Sequence, residues 1–278
     1  VEFGRLSFIG VWAALLSIIV EGGFLAAATR VAVSAEPARR WQLAQQVFTA
    51  RSVLCIPTVL LAALAPWWSQ KQPANGPAAH QWLDALATAG LAIALGWPAT
   101  WYLQATQQLN RWAKVEIAVQ AASILLCLAF AHSVEIFVLM QAVTAGVLAV
   151  WGWCWLYRDL RGEAGAEGLW VRGQIVPGLR VGWTMMPVSI AGAAYSLALP
   201  AIGSRQMSSV DLGHYFLVDR LVRALVSAID PVIAVIYPKI VRAFSDGEAA
   251  ALRYAARWAV LGGVLGLCIL GAGVMAWP

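Results

Sequence analysis

Residues 2–30, EFGRLSFIGVWAALLSIIVEGGFLAAATR, form an apolar stretch with a carboxylate towards one end, and the same element returns at 211–239, DLGHYFLVDRLVRALVSAIDPVIAVIYPK. Glu2-Phe3-Gly4 recurs as Asp211-Leu212-Gly213, Glu21 falls on Asp230, and Arg30 falls on Lys239, all at a single offset of 209 without a gap. Each copy is long enough to cross a bilayer as a helix, which needs about 20 apolar residues. A repeated membrane helix is the sequence signature of a bundle built as two related lobes around a midplane site.

Composition agrees with that class. The chain is 61% hydrophobic and 12% charged, with mean hydropathy +0.72, far from the balance of a water-soluble domain. About eight apolar stretches approach the length of a bilayer crossing. They are Leu6–Ala28, Ser52–Trp68, Leu83–Leu103, Trp112–Ala131, Ile136–Tyr157, Leu179–Ile202, Tyr215–Pro238 and Ala255–Trp277. The second is short unless 44–51 extends it as helix. The fold class expected is therefore an all-α integral membrane protein, a two-lobe pseudo-symmetric helix bundle. Cys55, Cys127, Cys154 and Cys268 are scattered within these stretches without a Cys-x-x-Cys pair, and read as small apolar packing residues. His80, His132 and His214 are too dispersed for a metal set, and neither a metal nor a cofactor is implied.

Positive charge orients the chain. Alternate loops carry fourteen basic residues: Arg30, Arg39, Arg40, Arg51, Arg111, Lys114, Arg158, Arg161, Arg172, Arg180, Lys239, Arg242, Arg253 and Arg257; the opposite side holds three, Arg5, Lys71 and Arg205. The richer side is assigned to the cytoplasm. The net charge of +5 then follows from topology and calls for no nucleic-acid partner. This orientation places Val1 outside, so the chain is expected to be a piece of a longer protein. The repeat implies one further helix upstream and about three downstream, giving about twelve in two lobes of six. Residues 1–157 are expected to form the N-terminal lobe without its first helix, 158–178 a cytoplasmic linker, and 179–278 the first half of the C-terminal lobe. Both copies run from outside to inside, so the lobes are related by an axis along the membrane normal.

Charged residues within a span are costly and point to function. Tyr215–Pro238 contains Asp219, Arg220, Arg223 and Asp230. At 100° per residue, Asp219, Arg223 and Asp230 fall within about 40° of one another, and Arg223 lies about 12 Å into the bilayer. Such a stripe must face a cavity or an internal partner. Asp219 and Arg223 are spaced as a helical ion pair and could neutralise each other, which leaves Arg220 without an acid in its own helix. A planar guanidinium there suits an anion such as phosphate, with Asp219 as an orienting partner. Glu21 and Asp230 are candidates for ion or proton coupling; the alternative is pairing with a base at the cytoplasmic mouth. Gly22-Gly23 would admit a close helix neighbour. Most of the fifteen tryptophans, among them Trp67, Trp68, Trp82, Trp151, Trp153, Trp155 and Trp277, are expected at helix ends as interfacial anchors.

Three runs together resemble one family. Glu21-Gly22-Gly23-Phe24 through Thr29-Arg30 is similar to an acid-x-Gly-Phe…Thr-Arg helix end. Pro98-Ala99-Thr100-Trp101-Tyr102-Leu103-Gln104 is similar to Pro-x-x-Trp-Tyr-Phe-Gln-Gly, and Val210 through Gly213, Tyr215, Asp219-Arg220, Pro231, Tyr237 and Pro238 is similar to Val-Gly-x-Tyr…Ala-x-Lys…Pro…Pro. The chain thus resembles the lipid-linked oligosaccharide (O-antigen and polysaccharide) flippases, the polysaccharide-transport branch of the multidrug/oligosaccharidyl-lipid/polysaccharide exporter superfamily. Two positions depart: Ala105 stands for the usual Gly, and Asp219-Arg220 for a pair ending in Lys.

The resemblance implies a multi-pass protein of the bacterial inner membrane, and no enzyme. It would move undecaprenyl-diphosphate-linked repeat units outward by ion-driven alternating access. It also implies that Arg220, Arg223 and Gln104 meet the anionic head group. The expected partners are the lipid-linked oligosaccharide, membrane lipids and polysaccharide polymerase machinery. The rivals are a multidrug or metabolite exporter of the same superfamily, against which the two arginines count, and a membrane polysaccharide polymerase or ligase.

Overall fold

The computed structural model describes residues 2–68, 78–131, 133–162, 168–192 and 256. Eight α-helices follow in order among them: α1 (Glu2–Glu21), α2 (Phe24–Val33), α3 (Pro37–Trp68), α4 (Ala78–Gly96), α5 (Thr100–Ala105), α6 (Leu109–Phe130), α7 (Val134–Leu160) and α8 (Ile175–Trp183). A single 3-10 turn, Arg172–Gln174, precedes α8. Among the described residues, five segments are long and apolar enough to span a membrane: Ile9–Val33, Pro37–Leu64, Trp82–Ala105, Leu109–Phe130 and Val134–Leu160. The protein is an all-helical membrane bundle.

Two of those spans are interrupted, where sequence alone suggests unbroken helices. The first breaks at Gly22 and Gly23, whose φ angles of +58° and +75° lie in the left-handed region that only glycine enters without strain. The third breaks at 97–99, where Pro98 supplies no N–H to continue the ladder. The second span departs the other way. Residues 44–51 do join Ser52–Trp68 in one helix of 32 residues, about 48 Å long, which exceeds a ~30 Å hydrocarbon core.

Packing sorts into two apolar clusters. One joins α1, α3, α4 and α7 through Ile9, Leu16, Ala62, Ala92 and Val138. The other joins α2, α3, α5, α6 and α7 through Phe24, Val47, Trp101, Trp112, Trp153 and Leu156. The helix α6 covers little of itself: Ile117, Ile124, Leu125, Leu128 and Phe130 are all exposed. Water would not tolerate that face on a stable monomer, whereas acyl chains do. By contrast Trp153 is buried rather than interfacial, and Trp155 is half-buried, so the belt expected at this end of α7 is carried by exposed Trp151 instead.

The stretch after α7 folds back on α3. Gln45 donates to the Gly168 carbonyl at 2.9 Å, Gln46 donates to Gln174 at 3.0 Å, and the Val171 amide donates to Thr49 at 3.1 Å. Two glycines of α8 permit the contact: a Cβ on Gly178 would strike the Gln46 carbonyl, and one on Gly182 the Gly22 carbonyl. The close neighbour that Gly22-Gly23 invites is therefore α8. The second repeat, including Tyr215–Pro238 and Ala255–Trp277, falls outside the described residues apart from Ala256.

The α1–α4 contact has a direct check. A Cβ on Gly96 would lie 2.6 Å from both the Ser17 carbonyl and Val20, while one on Gly90, in the same helix, meets nothing within 4 Å. Gly96→Ala is expected to destabilise the detergent-solubilised protein by about 1–3 kcal/mol. Gly90→Ala should leave the thermal midpoint unchanged or slightly raised.

Candidate functional site

The first interruption is held by a single carboxylate. As α1 ends, the Glu21 side chain turns back across Gly22-Gly23: one oxygen accepts from the Gly23 amide at 2.9 Å, the other from the Leu25 amide at 2.6 Å. Both amides belong to the start of α2, where N–H groups have no intrahelical acceptor and the helix dipole favours negative charge. The half-buried Glu21 thus caps the second half of the span. Arg30, its alternative partner by sequence, is exposed in the last turn of α2, while the Glu21 charge is felt at Arg51.

Arg51 holds the second interruption. Sequence places it in a cytoplasmic loop set; the structure places it near the middle of α3, 1% exposed. Its Nη1 donates to the carbonyls of Trp97 at 2.8 Å and Pro98 at 2.7 Å. Both carbonyls are released by the break in the α4–α5 span, and lipid offers no donor for them. The Trp153 indole donates to the same Trp97 oxygen at 2.9 Å. Phe48 meets the rings of Trp97 and Trp153 edge-on, at 5.6 and 5.1 Å, and the guanidinium lies 5.6 Å from the centre of the Phe24 ring. A positive charge on an aromatic face is favourable, more so when desolvated. Arg51 Nε is buried without a hydrogen-bond partner among the described residues.

Gln104 stands one turn beyond this knot, half-buried on α5. Its side-chain oxygen is 3.3 Å from the Thr29 hydroxyl, which is also 2.5 Å from the Leu25 carbonyl and 3.2 Å from that of Trp101. One hydroxyl proton faces three acceptors here, and the close seat of Thr29 against α5 sets the two motif runs around Glu21 and Pro98 side by side in one wall. Ala105 is helical and fully buried. The turn after α5 is made by Gln107 in the left-handed conformation, φ +59°, with Gln108 N–H bonded to the Leu103 carbonyl and Gln107 N–H to that of Gln104. That pairing is the glycine-type helix ending, built here without glycine.

At the end of the bundle that bears Arg39, Arg158 and Arg161, a cleft of about 500 Å³ opens between the start of α3, the end of α5 and the end of α7. Arg40 and Asp159 are among its walls, and the Tyr102 hydroxyl and Gln108 amide both donate to Asp159 Oδ2, at 3.2 and 3.0 Å.

Of the residues that sequence singles out, Glu21 sits at the start of α2 and Gln104 beside Thr29 near the middle of the same helix. Asp219, Arg220, Arg223 and Asp230 lie outside the described residues. Sequence reasoning missed Arg51 and Asp159. For Arg51 a signal existed: Pro98 inside an apolar span must release carbonyls, and a basic residue flanked by apolar helix on both sides is a natural donor.

Arg51 and Trp153 share an acceptor, so their removal should couple. Arg51→Met is expected to cost about 3–5 kcal/mol of stability in detergent, leaving the Pro98 carbonyl without its donor and the Trp97 carbonyl with the Trp153 indole alone. Trp153→Phe should cost about 1 kcal/mol. The cost of the double variant should differ from the sum of the two. Strict additivity in thermal unfolding would mean that the Trp97 carbonyl is not their common point.

A family model described as "Polysaccharide biosynthesis protein" matches residues 1–244. No curated protein and no solved structure matches the chain. The match spans most of the sequence, and the chain belongs to that family.

Proposed function

We propose that this member of the polysaccharide biosynthesis protein family is a flippase. Its cargo would be undecaprenyl-diphosphate-linked oligosaccharide repeat units, carried from the cytoplasmic to the periplasmic leaflet of a bacterial inner membrane by alternating access. The observation that carries the reading is the pair of interrupted spans, α1–α2 and α4–α5, joined through Arg51 and Thr29. Broken helices whose backbone groups are satisfied inside the bundle are characteristic of transporters, where they line the path of a polar cargo. An enzyme would need a reactive constellation, and the polar groups at these breaks are occupied with backbone.

In this scheme, residues 1–157 are the N-terminal lobe, 158–178 the linker, and 179–278 the start of the C-terminal lobe. Arg220 and Arg223 receive the diphosphate, oriented by Asp219, while Gln104 contributes from the opposite lobe. Glu21 and Asp230 are the coupling carboxylates. For Glu21 the coupling has a stated route: a proton on the carboxyl weakens the cap on α2 and loosens the first break. Polysaccharide polymerase machinery would take the exported unit.

The test is genetic and chemical together. Deleting the gene should abolish surface polysaccharide while the lipid-linked repeat unit accumulates inside, and Arg220→Ala/Arg223→Ala should reproduce this at normal membrane levels. Intact polymer in the deletion strain, with only drug sensitivity altered, would overturn the flippase reading. Normal export by the double variant would leave the arginines structural.

A further inference from the structure

The cleft at the cytoplasmic end carries chemistry that the two helix breaks do not use. Its walls include Arg40 of α3, Tyr102, Thr106 and Gln108 at and just beyond the end of α5, and Asp159 of α7. At about 500 Å³ it falls within the usual ~300–1,000 Å³ range of small-molecule sites.

Asp159 is exposed, yet it is held still. Tyr102, itself buried, and Gln108 both donate to Oδ2, and Oδ1 has no partner among the described residues. Arg40 is held as well: its Nε donates to the Ala32 carbonyl at 3.0 Å, at the end of α2. That leaves the remaining guanidinium nitrogens without an acceptor among the described residues. Gln108, turned by its bond to Asp159, has a buried side-chain oxygen without a donor among the described residues.

The cleft therefore presents a fixed acceptor carrying full negative charge and a fixed donor carrying full positive charge. A phosphate, all acceptor, would be repelled by Asp159, and a bare ammonium group, all donor, by Arg40. Hydroxyl groups donate and accept at once, and a ring bearing several of them satisfies both walls. Exposed Arg39, Arg158 and Arg161 mark this end as cytoplasmic, the face at which cargo would load.

We propose that the Arg40–Asp159 cleft is a saccharide subsite, which grips hydroxyls of the lipid-linked oligosaccharide at the cytoplasmic face before translocation. It rests on the flippase reading and divides the labour of recognition. The diphosphate is met elsewhere, and this cleft senses whether a sugar is attached.

The test uses the intact protein in lipid nanodiscs and three probes: the lipid-linked repeat unit, undecaprenyl diphosphate without sugar, and the free saccharide. Asp159→Ala is expected to weaken binding of the repeat unit roughly tenfold or more, the loss typical of a hydrogen bond to a charged group. Binding of the sugar-free lipid should not change. Tyr102→Phe, which keeps the packing but frees the carboxylate to turn, should give a smaller loss of the same selectivity. Arg158→Ala, a neighbouring charge outside the cleft, should alter neither lipid. Protection of a Thr106→Cys thiol from a membrane-impermeant maleimide, read in a background without the native cysteines, should follow the repeat unit and, at higher concentration, the free saccharide. Equal weakening for both lipids, or none for either, would overturn the subsite while leaving the flippase reading in place. Wild-type protein that binds neither lipid would overturn both.

Discussion

A helix that breaks inside a membrane must find donors for the carbonyls it releases, because the bilayer supplies none. In this bundle the break at Trp97-Pro98 is met by Arg51 and by the Trp153 indole. Much of the inner half is arranged around that need. A guanidinium at this depth is itself expensive, and the Phe24 face, two carbonyl dipoles and the nearby Glu21 charge offset its desolvation. The same arginine fixes α3 against the α4–α5 span, and Trp153 brings in α7. The first break follows similar logic with opposite sign: here released amides need an acceptor, and Glu21 is one. One cation and one anion thus stabilise two interruptions, and each lies within the influence of the other's field.

That arrangement bears on movement. Short rigid segments joined at Gly22-Gly23 and at 97–99 are natural pivots, since the dihedral change of a hinge concentrates where the ladder is already open. The α2–α5 wall would shift as a unit because Phe24, Ala28 and Ala32 of one helix share an apolar cluster with Trp101, Tyr102 and Leu103 of the other. Gln104 lies on α5 and would travel with that wall, whereas Arg40 on α3 and Asp159 on α7 stand outside it, so such a shift would change the width of the cleft.

Much of the architecture is legible in one dimension. Apolar length gives the spans, and the Glu21-Gly22-Gly23 and Pro98–Gln104 runs mark the segments that turn out to be interrupted. The interruptions themselves are less legible, because hydropathy counts apolar residues and is indifferent to a glycine pair or to one proline. Arg51 is misread for a related reason. Charge counting assigns a residue at the edge of an apolar run to a loop, whereas its depth depends on 44–51 continuing the helix and on carbonyls 46 residues away in the chain. Trp153 is misread likewise, since its position near a helix end suits an interface and only its indole partner shows otherwise. Asp159 belongs to a cleft assembled from three helix ends, and no local pattern announces such a site.

Whether this bundle moves a lipid-linked saccharide between leaflets, as proposed, is read most directly by reconstitution. The intact protein would be placed in sealed vesicles with the repeat-unit lipid loaded in one leaflet. An impermeant glycosidase outside would then report how fast the sugar appears on the other side. A flippase gives leaflet exchange that depends on the protein, is absent from empty vesicles, and is lost when Arg51 is replaced by Met in protein that remains folded and inserted. Correctly inserted wild-type protein giving no exchange above empty vesicles, with and without an ion gradient, would contradict the proposal.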